Sequence, residues 1–163
     1  MAHSTVPARA PEAADGLYER DYCDWTVTQA RALRARRTHD LDWENLAEEI
    51  ESLGRSDARA LKSHLARLMA HLLKWTLQAS KRTQSKRAAN SWRGSVNDAR
   101  REIRDLLDDS PSLKHRLPEF LPKAFAAAID LAQKEPGLDK SAFPPRCPWT
   151  FDRIMDDRFW PGA

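Results

Sequence analysis

The sequence predicts an all-α protein, and three observations support this prediction. The composition favours helix over sheet, because Ala, Leu, Arg, Asp and Glu are abundant, 31% of the residues are charged, and only five of 163 are glycine. Apolar residues recur at intervals of three and four, as on one face of a helix. No segment has the alternation of apolar and polar residues that is typical of a strand. We expect a bundle of about five main helices.

Two helices are predicted before residue 54. From Leu17, apolar residues lie at positions 18, 22, 25, 30 and 33, in a helical stripe. Asp42 is a favourable N-cap for the second helix, and Gly54 is a favourable residue just beyond its end. We expect the apolar stripe of this helix to face the core and its glutamates to face solvent. The stripe consists of Trp43, Leu46, Ile50 and Leu53, and the glutamates are Glu44, Glu48 and Glu51.

A third helix is predicted from about Ser56 to about Ala79, with a wide apolar arc that includes Trp75. Because only a short link separates it from the second helix, we expect the two to form an antiparallel hairpin. A run of basic residues follows and is expected to be an exposed connection. Ser91 is then expected to cap a fourth helix, which carries Trp92 on its apolar face.

The fourth helix also carries a stripe of arginines, which we expect at the edge of its apolar face. The stripe consists of Arg93, Arg100 and Arg104. Ser110-Pro111 ends this helix, and Pro118 and Pro122 are expected to break the next segment into a short turn and a fifth helix that stops at Pro136-Gly137. The C-terminal tail is rich in proline and aromatic residues, with Thr150 as the cap of a short helix. We expect it to pack back across the bundle.

The bulk properties predict one domain. Residues 1–16 are polar and rich in Ala and Pro, without an apolar signal core, so we expect a disordered lead-in followed by a single helical domain over residues 17–163. No apolar run approaches the roughly 20 residues that a membrane span requires. Cys23 and Cys147 lie far apart and outside any metal-type spacing. We therefore expect a cytoplasmic protein with no membrane partner, and we predict no cofactor.

The predicted hairpin would bring four polar side chains into one cluster. They are Asn45, Glu49, His64 and His71. Imidazoles and a carboxylate are ligands for zinc, iron or manganese, and Glu49 with His71 could also act in acid–base or hydrolytic chemistry. Di-iron bundles, however, use Glu-x-x-His pairs, which this sequence lacks. The alternative interpretation is a histidine hydrogen-bonded to a neighbouring carboxylate.

The basic segment 81–104 is the candidate site for nucleic acid. It holds eight basic residues against two acidic ones, whereas residues 40–57 hold seven acidic residues against one basic residue. Trp75 and Trp92 could stack on bases, although both lie on apolar helix faces, where core packing is the alternative. The opposite charges could equally place an acidic helix beside a basic one. The cations expected to contact phosphates are Lys81, Arg82, Lys86, Arg87 and Arg93.

Five sequence motifs, taken in order, resemble a known family. They are LDWENLAEEIESLGRS, HLLKW, SWR, DSPSL and FPPRCPWTFDRIMDDRFWP. They resemble a bacterial all-helical family of domains of unknown function, number twenty-nine in its series, over roughly residues 17–161. The resemblance implies an all-α fold and implies no activity. A site shared by such a family would lie near Glu49, His71 and Arg93, whereas His64 lies outside the family-like motifs.

The sequence leaves three functions open. It has no nucleophile elbow, no Walker loop and no dinucleotide-binding glycine motif, which favours a non-enzymatic helical interaction module acting through protein partners or self-association. The first alternative is nucleic-acid binding through residues 81–104. The second alternative is a metal-dependent or hydrolytic enzyme that uses Glu49 and His71.

Overall fold

The computed structural model describes residues 16–134 and 138–162 and confirms the all-α prediction. Within these ranges there is no strand, and no helix is long and apolar enough to cross a membrane. The α-helices of the described residues are α1 (Leu17–Arg20), α2 (Tyr22–Arg34), α3 (Trp43–Leu77), α4 (Ala79–Gln84), α5 (Lys86–Asp109), α6 (Leu117–Gln133) and α7 (Phe151–Met155). Short 3₁₀ turns occur at Thr38–Asp40, Pro111–Arg116 and Lys140–Ala142.

The chain divides into two compact units. Unit 1 ends at Gly54 and contains α1, α2 and the first part of α3, and unit 2 begins at Arg55 and contains the remaining elements. The predicted lead-in lies outside the described residues except for Gly16, as does the predicted helix stop at Pro136-Gly137. A single helical domain over residues 17–163 stays a prediction.

The predicted hairpin at residues 54–56 is wrong, because α3 continues without interruption from Trp43 to Leu77. A glycine ends a helix when it adopts a left-handed conformation. Among the described glycines, positive φ occurs at Gly16 and Gly162 but not at Gly54. A glycine inside a helix costs only about 1 kcal/mol relative to alanine, so the helical segments on both sides of Gly54 can join across it.

The basic run predicted as an exposed connection is helical. α4 fills most of it, and α5 begins at Lys86, ahead of the predicted start at Ser91. Ser85 is the N-cap of α5, since its hydroxyl accepts a hydrogen bond from the Ala88 amide at 3.2 Å. The segment offers two serine caps, and the residues between them are mostly good helix formers, so the earlier cap is used.

A short turn followed by a fifth helix is found as predicted, but α6 begins at Leu117 and continues past Pro122, so Pro122 does not act as a break. Pro118 occupies the first turn, where a missing amide hydrogen removes no helical hydrogen bond. Pro122 does remove one, but the helix buries Phe120 and Phe125 in the core. Burying two large aromatic side chains outweighs the loss of one backbone hydrogen bond.

The core of unit 2 is formed by the C-terminal part of α3 together with α5, α6 and the tail. Leu65, Ile103 and Phe120 are fully buried, as is Ile154 from the tail. Thr150 caps α7 as predicted, because its hydroxyl accepts a hydrogen bond from the Arg153 amide. The packing of the tail across the helices is confirmed. The tail side chains in or against the core include Phe143, Trp149, Phe151, Met155, Phe159 and Trp160.

Arg100 ties the tail to α5. It is fully buried, which corrects its predicted position at the edge of the apolar face. Its guanidinium donates hydrogen bonds to the carbonyl oxygens of Ile154 at 2.8 Å, Asp157 at 3.4 Å and Phe159 at 2.9 Å. One helical turn further along α5, Arg104 donates a hydrogen bond to the Asp157 carboxylate at 2.6 Å. The rigid fork of guanidinium donors allows one side chain to serve three backbone carbonyls.

Replacing Arg100 with alanine should lower the free energy of unfolding by about 3 kcal/mol, because three tail carbonyls lose their donor inside the folded protein. Urea denaturation followed by tryptophan fluorescence measures this change. Arg101→Ala is the matched control, since Arg101 is exposed and pairs with Asp98 on the same helix. The control substitution should lower the free energy of unfolding by less than about 1 kcal/mol. Equal losses in the two variants would contradict the anchoring role of Arg100.

Candidate functional site

The residues predicted for a metal or hydrolytic site belong to different units. Glu49 lies in unit 1, whereas His64 and His71 lie in unit 2. Because α3 is continuous from Trp43 to Leu77, the predicted cluster loses the hairpin on which it depended. In the described part of the chain, no group of three or more His, Cys, Asp or Glu side chains is placed to hold a metal ion. The enzyme alternative stays a prediction.

Two tyrosines hold Glu49 within unit 1. The phenol of Tyr18 donates a hydrogen bond to Oε1 at 2.5 Å, and that of Tyr22 donates to Oε2 at 2.9 Å. These bonds stabilise the carboxylate anion and lower the pKa of Glu49. The bond to Glu49 is also the main cause that raises the pKa of Tyr18 to about 12. A general base works best with a pKa near the operating pH, so this carboxylate is better suited to clamp α1 and α2 onto α3.

Asp42 organises a second network at the start of α3. Its carboxylate accepts hydrogen bonds from the Asn45 backbone and side chain at 3.3 and 2.7 Å, and from the Trp25 indole at 3.1 Å. Burial by itself would raise the pKa of Asp42, but the hydrogen bonds from Asn45 and Trp25 together outweigh it and lower the pKa. The backbone bond confirms the predicted N-cap. Asn45 was predicted as part of a polar cluster, but its backbone and side-chain amides donate to the capping carboxylate of Asp42 instead.

A groove of about 240 Å³ lies between α2 and the first part of α3, within unit 1. Tyr22 and Glu49 both line it, so the hydrogen bond between them joins its two walls. The Trp25 ring packs against the Tyr18 ring at 4.9 Å and the Tyr22 ring at 5.9 Å between centroids. The apolar lining consists of Trp25, Ala30, Leu33, Leu46, Ile50 and Leu53.

The apolar stripe on the first part of α3 is exposed, which corrects the prediction that it faces the core. Trp43, Ile50 and Leu53 expose 60%, 67% and 69% of their surface, and Leu46 is half-buried. The predicted exposure of the neighbouring glutamates is confirmed. They are Glu44, Glu48 and Glu51. Helical spacing thus identified the apolar face correctly, but it carries no information on whether another element covers that face.

His64 and Arg67 share one carboxylate in unit 2. His64 Nδ1 lies 2.9 Å from Glu102 Oε2, and Arg67 forms an ion pair with the same oxygen. Burial is the main cause that lowers the pKa of His64, and the charge of Arg67 acts in the same direction. This is the alternative arrangement that the sequence left open, a histidine bonded to a neighbouring carboxylate. His71 lies half-buried on the same helix.

The predicted nucleic-acid residues are divided between α4 and α5 of unit 2. They are Lys81 and Arg82 on α4, and Lys86, Arg87 and Arg93 on α5. Three of them, Arg82, Lys86 and Arg93, line one pocket together with Trp75, whereas Lys81 and Arg87 are not part of its lining. Trp75 and Trp92 are both buried, which confirms their place in the core and removes them as platforms for bases.

Some residues of these two sites were not predicted from the sequence. Tyr18 and Tyr22 are four residues apart, a spacing that places side chains on one face of a helix and could have indicated a joint role. Asn90, by contrast, is one of the polar residues of the basic segment that the sequence offers as contacts for phosphate, and it lines the pocket together with Arg82, Lys86 and Arg93. Its spacing from Lys86 and Arg93, four and three residues, becomes informative only once α5 is known to begin at Lys86.

A family model described as domain of unknown function DUF29 matches residues 17–160. The match confirms the resemblance carried by the five motifs. Neither the curated proteins nor the solved structures include one that matches the chain.

The tyrosine clamp predicts an abnormal tyrosine titration. Tyr18 and Tyr22 are the only tyrosines in the sequence, so the ultraviolet absorbance of tyrosinate reports on these two alone. We expect Tyr18 to titrate with a pKa of about 12, and Glu49→Ala to return it towards its ordinary value of 10.0. A rapid pH jump measures the absorbance before the chain unfolds.

The sign of the linked stability change follows from the raised pKa of Tyr18. Because the folded protein holds this proton more tightly than the unfolded chain, the stabilisation is fully present below pH 10.0 and is lost as the pH rises towards about 12. Glu44→Ala is the control, since Glu44 is an exposed glutamate of α3 that is hydrogen-bonded to neither tyrosine. Ordinary titration of both tyrosines in the unmodified protein would contradict the clamp.

Proposed function

The chain belongs to the family of the domain of unknown function DUF29, and because that description names no activity, we propose a function from the surface of unit 1. This protein is a non-enzymatic interaction module that binds a basic amphipathic helix of a protein partner. The observation that carries the proposal is the exposed apolar stripe of α3, with Ile50 and Leu53 at the edge of the groove.

Exposed apolar surface is concentrated in unit 1. Of the seven large apolar side chains that are exposed in the described residues, six lie between Tyr22 and Leu53, and only Leu131 lies in unit 2. Leu33, Ile50 and Leu53 belong to both the exposed set and the lining of one groove, so they form a patch rather than scattered residues. Such patches mark interaction sites on protein surfaces.

The charges beside this patch favour a partner over a second copy of the chain. Residues 40–54 contain six acidic side chains and neither Lys nor Arg. In a two-fold symmetric dimer the same surface faces itself, so these carboxylates would be brought together, which is unfavourable. A partner helix with basic residues beside its apolar face complements them instead.

The groove suits the binding of a helix. Leu46, Ile50 and Leu53 are spaced by four and three residues, the spacing at which one helix presents apolar side chains to another. The hydrogen bond between Tyr22 and Glu49 holds the two walls together. A wall that is already ordered lowers the entropic cost of binding, so the clamp supports recognition without taking part in chemistry.

We place this module in the bacterial cytoplasm. The family resemblance points to a bacterial origin, and both cysteines, Cys23 and Cys147, are free thiols. Free thiols are usual in a reducing compartment, whereas disulfides are typical of secreted proteins. The proposed binding needs neither a cofactor nor a membrane.

Nucleic-acid binding through residues 81–104 is the second candidate, and a separate observation favours it. The two acidic residues of this segment already have basic partners, since Asp98 pairs with Arg101 and Glu102 pairs with Arg67. The acidic residues of this segment therefore leave the positive charge of Arg82, Lys86 and Arg87 for phosphates. Because Trp75 and Trp92 are buried, this binding would be independent of base sequence.

A labelled basic peptide tests the leading proposal. The probe is a synthetic helix with leucines at positions i, i+3, i+4 and i+7 and lysines beside them. We expect it to bind, and the double variant Ile50→Ser, Leu53→Ser to weaken binding about tenfold or more, because the apolar anchor of the groove is removed. Fluorescence anisotropy measures the affinity. A peptide with glutamates in place of the lysines should not bind.

The matched control is Leu131→Ser, which removes an exposed leucine from unit 2 and should leave peptide binding unchanged. Circular dichroism checks that each variant is folded. Light scattering should give a monomer. A dimer that the double variant disrupts would show self-association at this face and contradict the proposed partner, as would equal binding of the acidic peptide.

A salt titration tests the second candidate. Binding to labelled single- and double-stranded DNA and RNA should weaken about tenfold or more as the salt concentration is raised a few-fold. Reversal of four charges in the segment should abolish it, and reversal of four exposed cations elsewhere in unit 2 should not. The test residues are Lys81, Arg82, Lys86 and Arg87, and the control residues are Lys114, Lys134, Lys140 and Arg146. Equal losses of affinity in the test and control variants would indicate only a general effect of net charge.

A further inference from the structure

A basic pocket of about 330 Å³ lies in unit 2, where α3, α4 and α5 meet. Its polar and aromatic lining consists of Trp75, Arg82, Lys86, Asn90 and Arg93. From this geometry we propose that the pocket binds a phosphate group. It shares no residue with the groove of unit 1, so the proposal does not rest on the proposed interaction with a helix.

Three cations converge on the pocket. The guanidinium carbons of Arg82 and Arg93 lie 4.7 and 5.2 Å from the centre of the Trp75 ring. Arg82 also donates a hydrogen bond to the Trp75 carbonyl at 3.1 Å, which fixes its position. Lys86 adds a third charge to the lining. Like charges held close together are unfavourable unless an anion lies between them.

Residues 16–134 and 138–162 supply no such anion. Between Asp57 and Asp98 the sequence has neither Asp nor Glu. In the described part of the chain, none of the three pocket cations forms an ion pair with a carboxylate. Further along the same helix, by contrast, Arg101 pairs with Asp98 and Arg104 pairs with Asp157. The positive charge of the pocket is therefore available to bind an external anion.

Trp75 provides an independent observation that points to a ligand. Its side chain is 5% exposed, and its indole Nε1 has no hydrogen-bond partner within the described residues. A buried N–H without an acceptor is unfavourable. A phosphate oxygen in the pocket supplies the acceptor, and the side-chain amide of Asn90 adds a further donor.

The C-terminal tail holds Trp75, which forms one wall of the pocket, in place. The Trp160 ring packs on the Trp75 ring with 4.6 Å between centroids. Arg93 lies 5.4 Å from the centre of the Trp160 ring and so contacts both tryptophans. Trp160 in turn lies beside Arg100, which donates hydrogen bonds to the tail backbone. A wall fixed in this way is ordered before the ligand arrives, which lowers the cost of binding.

The donors of the pocket suit phosphate. A guanidinium presents parallel N–H groups that match two oxygens of a phosphate, and a lysine adds a compact charge. A phosphate monoester carries a charge of about −1.5 to −2 at neutral pH, which complements three cations. The volume lies at the lower end of the roughly 300–1,000 Å³ of small-molecule sites. The phosphate can therefore belong to a small organic molecule, as a monoester, or to a nucleic-acid strand, whose diesters carry one charge each, since both present phosphate oxygens to the same donors.

Titration of the full chain with three probes tests the proposal. The probes are inorganic phosphate, adenosine monophosphate and a labelled single-stranded oligonucleotide. Calorimetry or anisotropy measures affinity, and nuclear magnetic resonance of the indole N–H groups reports on Trp75, whose signal is assigned with Trp75→Phe. We expect this signal to shift on binding, and Arg82→Gln and Arg93→Gln each to weaken binding about tenfold or more. Arg146→Gln is the matched control, because Arg146 is an exposed arginine of unit 2 that lies outside the lining and outside the segment proposed for nucleic acid.

Either source of the phosphate supports the site if Arg146→Gln binds like the unmodified protein. Tighter binding of adenosine monophosphate than of the oligonucleotide assigns a small-molecule ligand, and the reverse order assigns a strand. If Trp75→Phe does not fold, the shifted signal among the six indoles is identified by its loss of response in Arg93→Gln. An unchanged Trp75 signal with every probe overturns the proposal, as do equal losses of affinity in Arg146→Gln and Arg93→Gln.

Discussion

The buried guanidinium of Arg100 is the interaction on which the arrangement of unit 2 depends. The tail that enters the core is mostly not helical, so its carbonyl oxygens need donors from elsewhere in the protein. Arg100 donates to three of them, at Ile154, Asp157 and Phe159. Because Trp160 follows directly, the same anchor places its ring against Trp75. The wall of the basic pocket is therefore held by a residue that does not line it.

The two units present surfaces of different chemistry. Unit 1 combines an exposed apolar stripe with an acidic stretch, and its polar groups satisfy one another through the bonds from Tyr18 and Tyr22 to Glu49. Unit 2 buries its apolar faces and its tail, and its distinctive surface feature is a pocket where cations converge without a carboxylate. The first surface is suited to a helix and the second to an anion, so each proposal can fail without affecting the other.

The sequence located the regions of both candidate sites but not their geometry. Glu49 and Arg93 lie in the family-like motifs, and each lines one of the two sites. Their partners could not be read from the chain, because Tyr18 is 31 residues from Glu49 and Trp75 is contributed by a different helix from Arg93. The metal cluster depended on a hairpin at Gly54, where the local signal for a helix end competed with favourable helical residues on both sides.

By itself, the sequence determined the helical class, the caps at Asp42 and Thr150, the apolar faces and the burial of Trp75 and Trp92, because these depend on local hydrogen bonds and on the spacing of residues along one helix. Only the tertiary structure decided which apolar faces are covered. The stripe of α3 in unit 1 remains exposed, whereas Arg100 is buried under the tail. Coverage of a helix face depends on segments distant in the chain, and no local pattern contains that information.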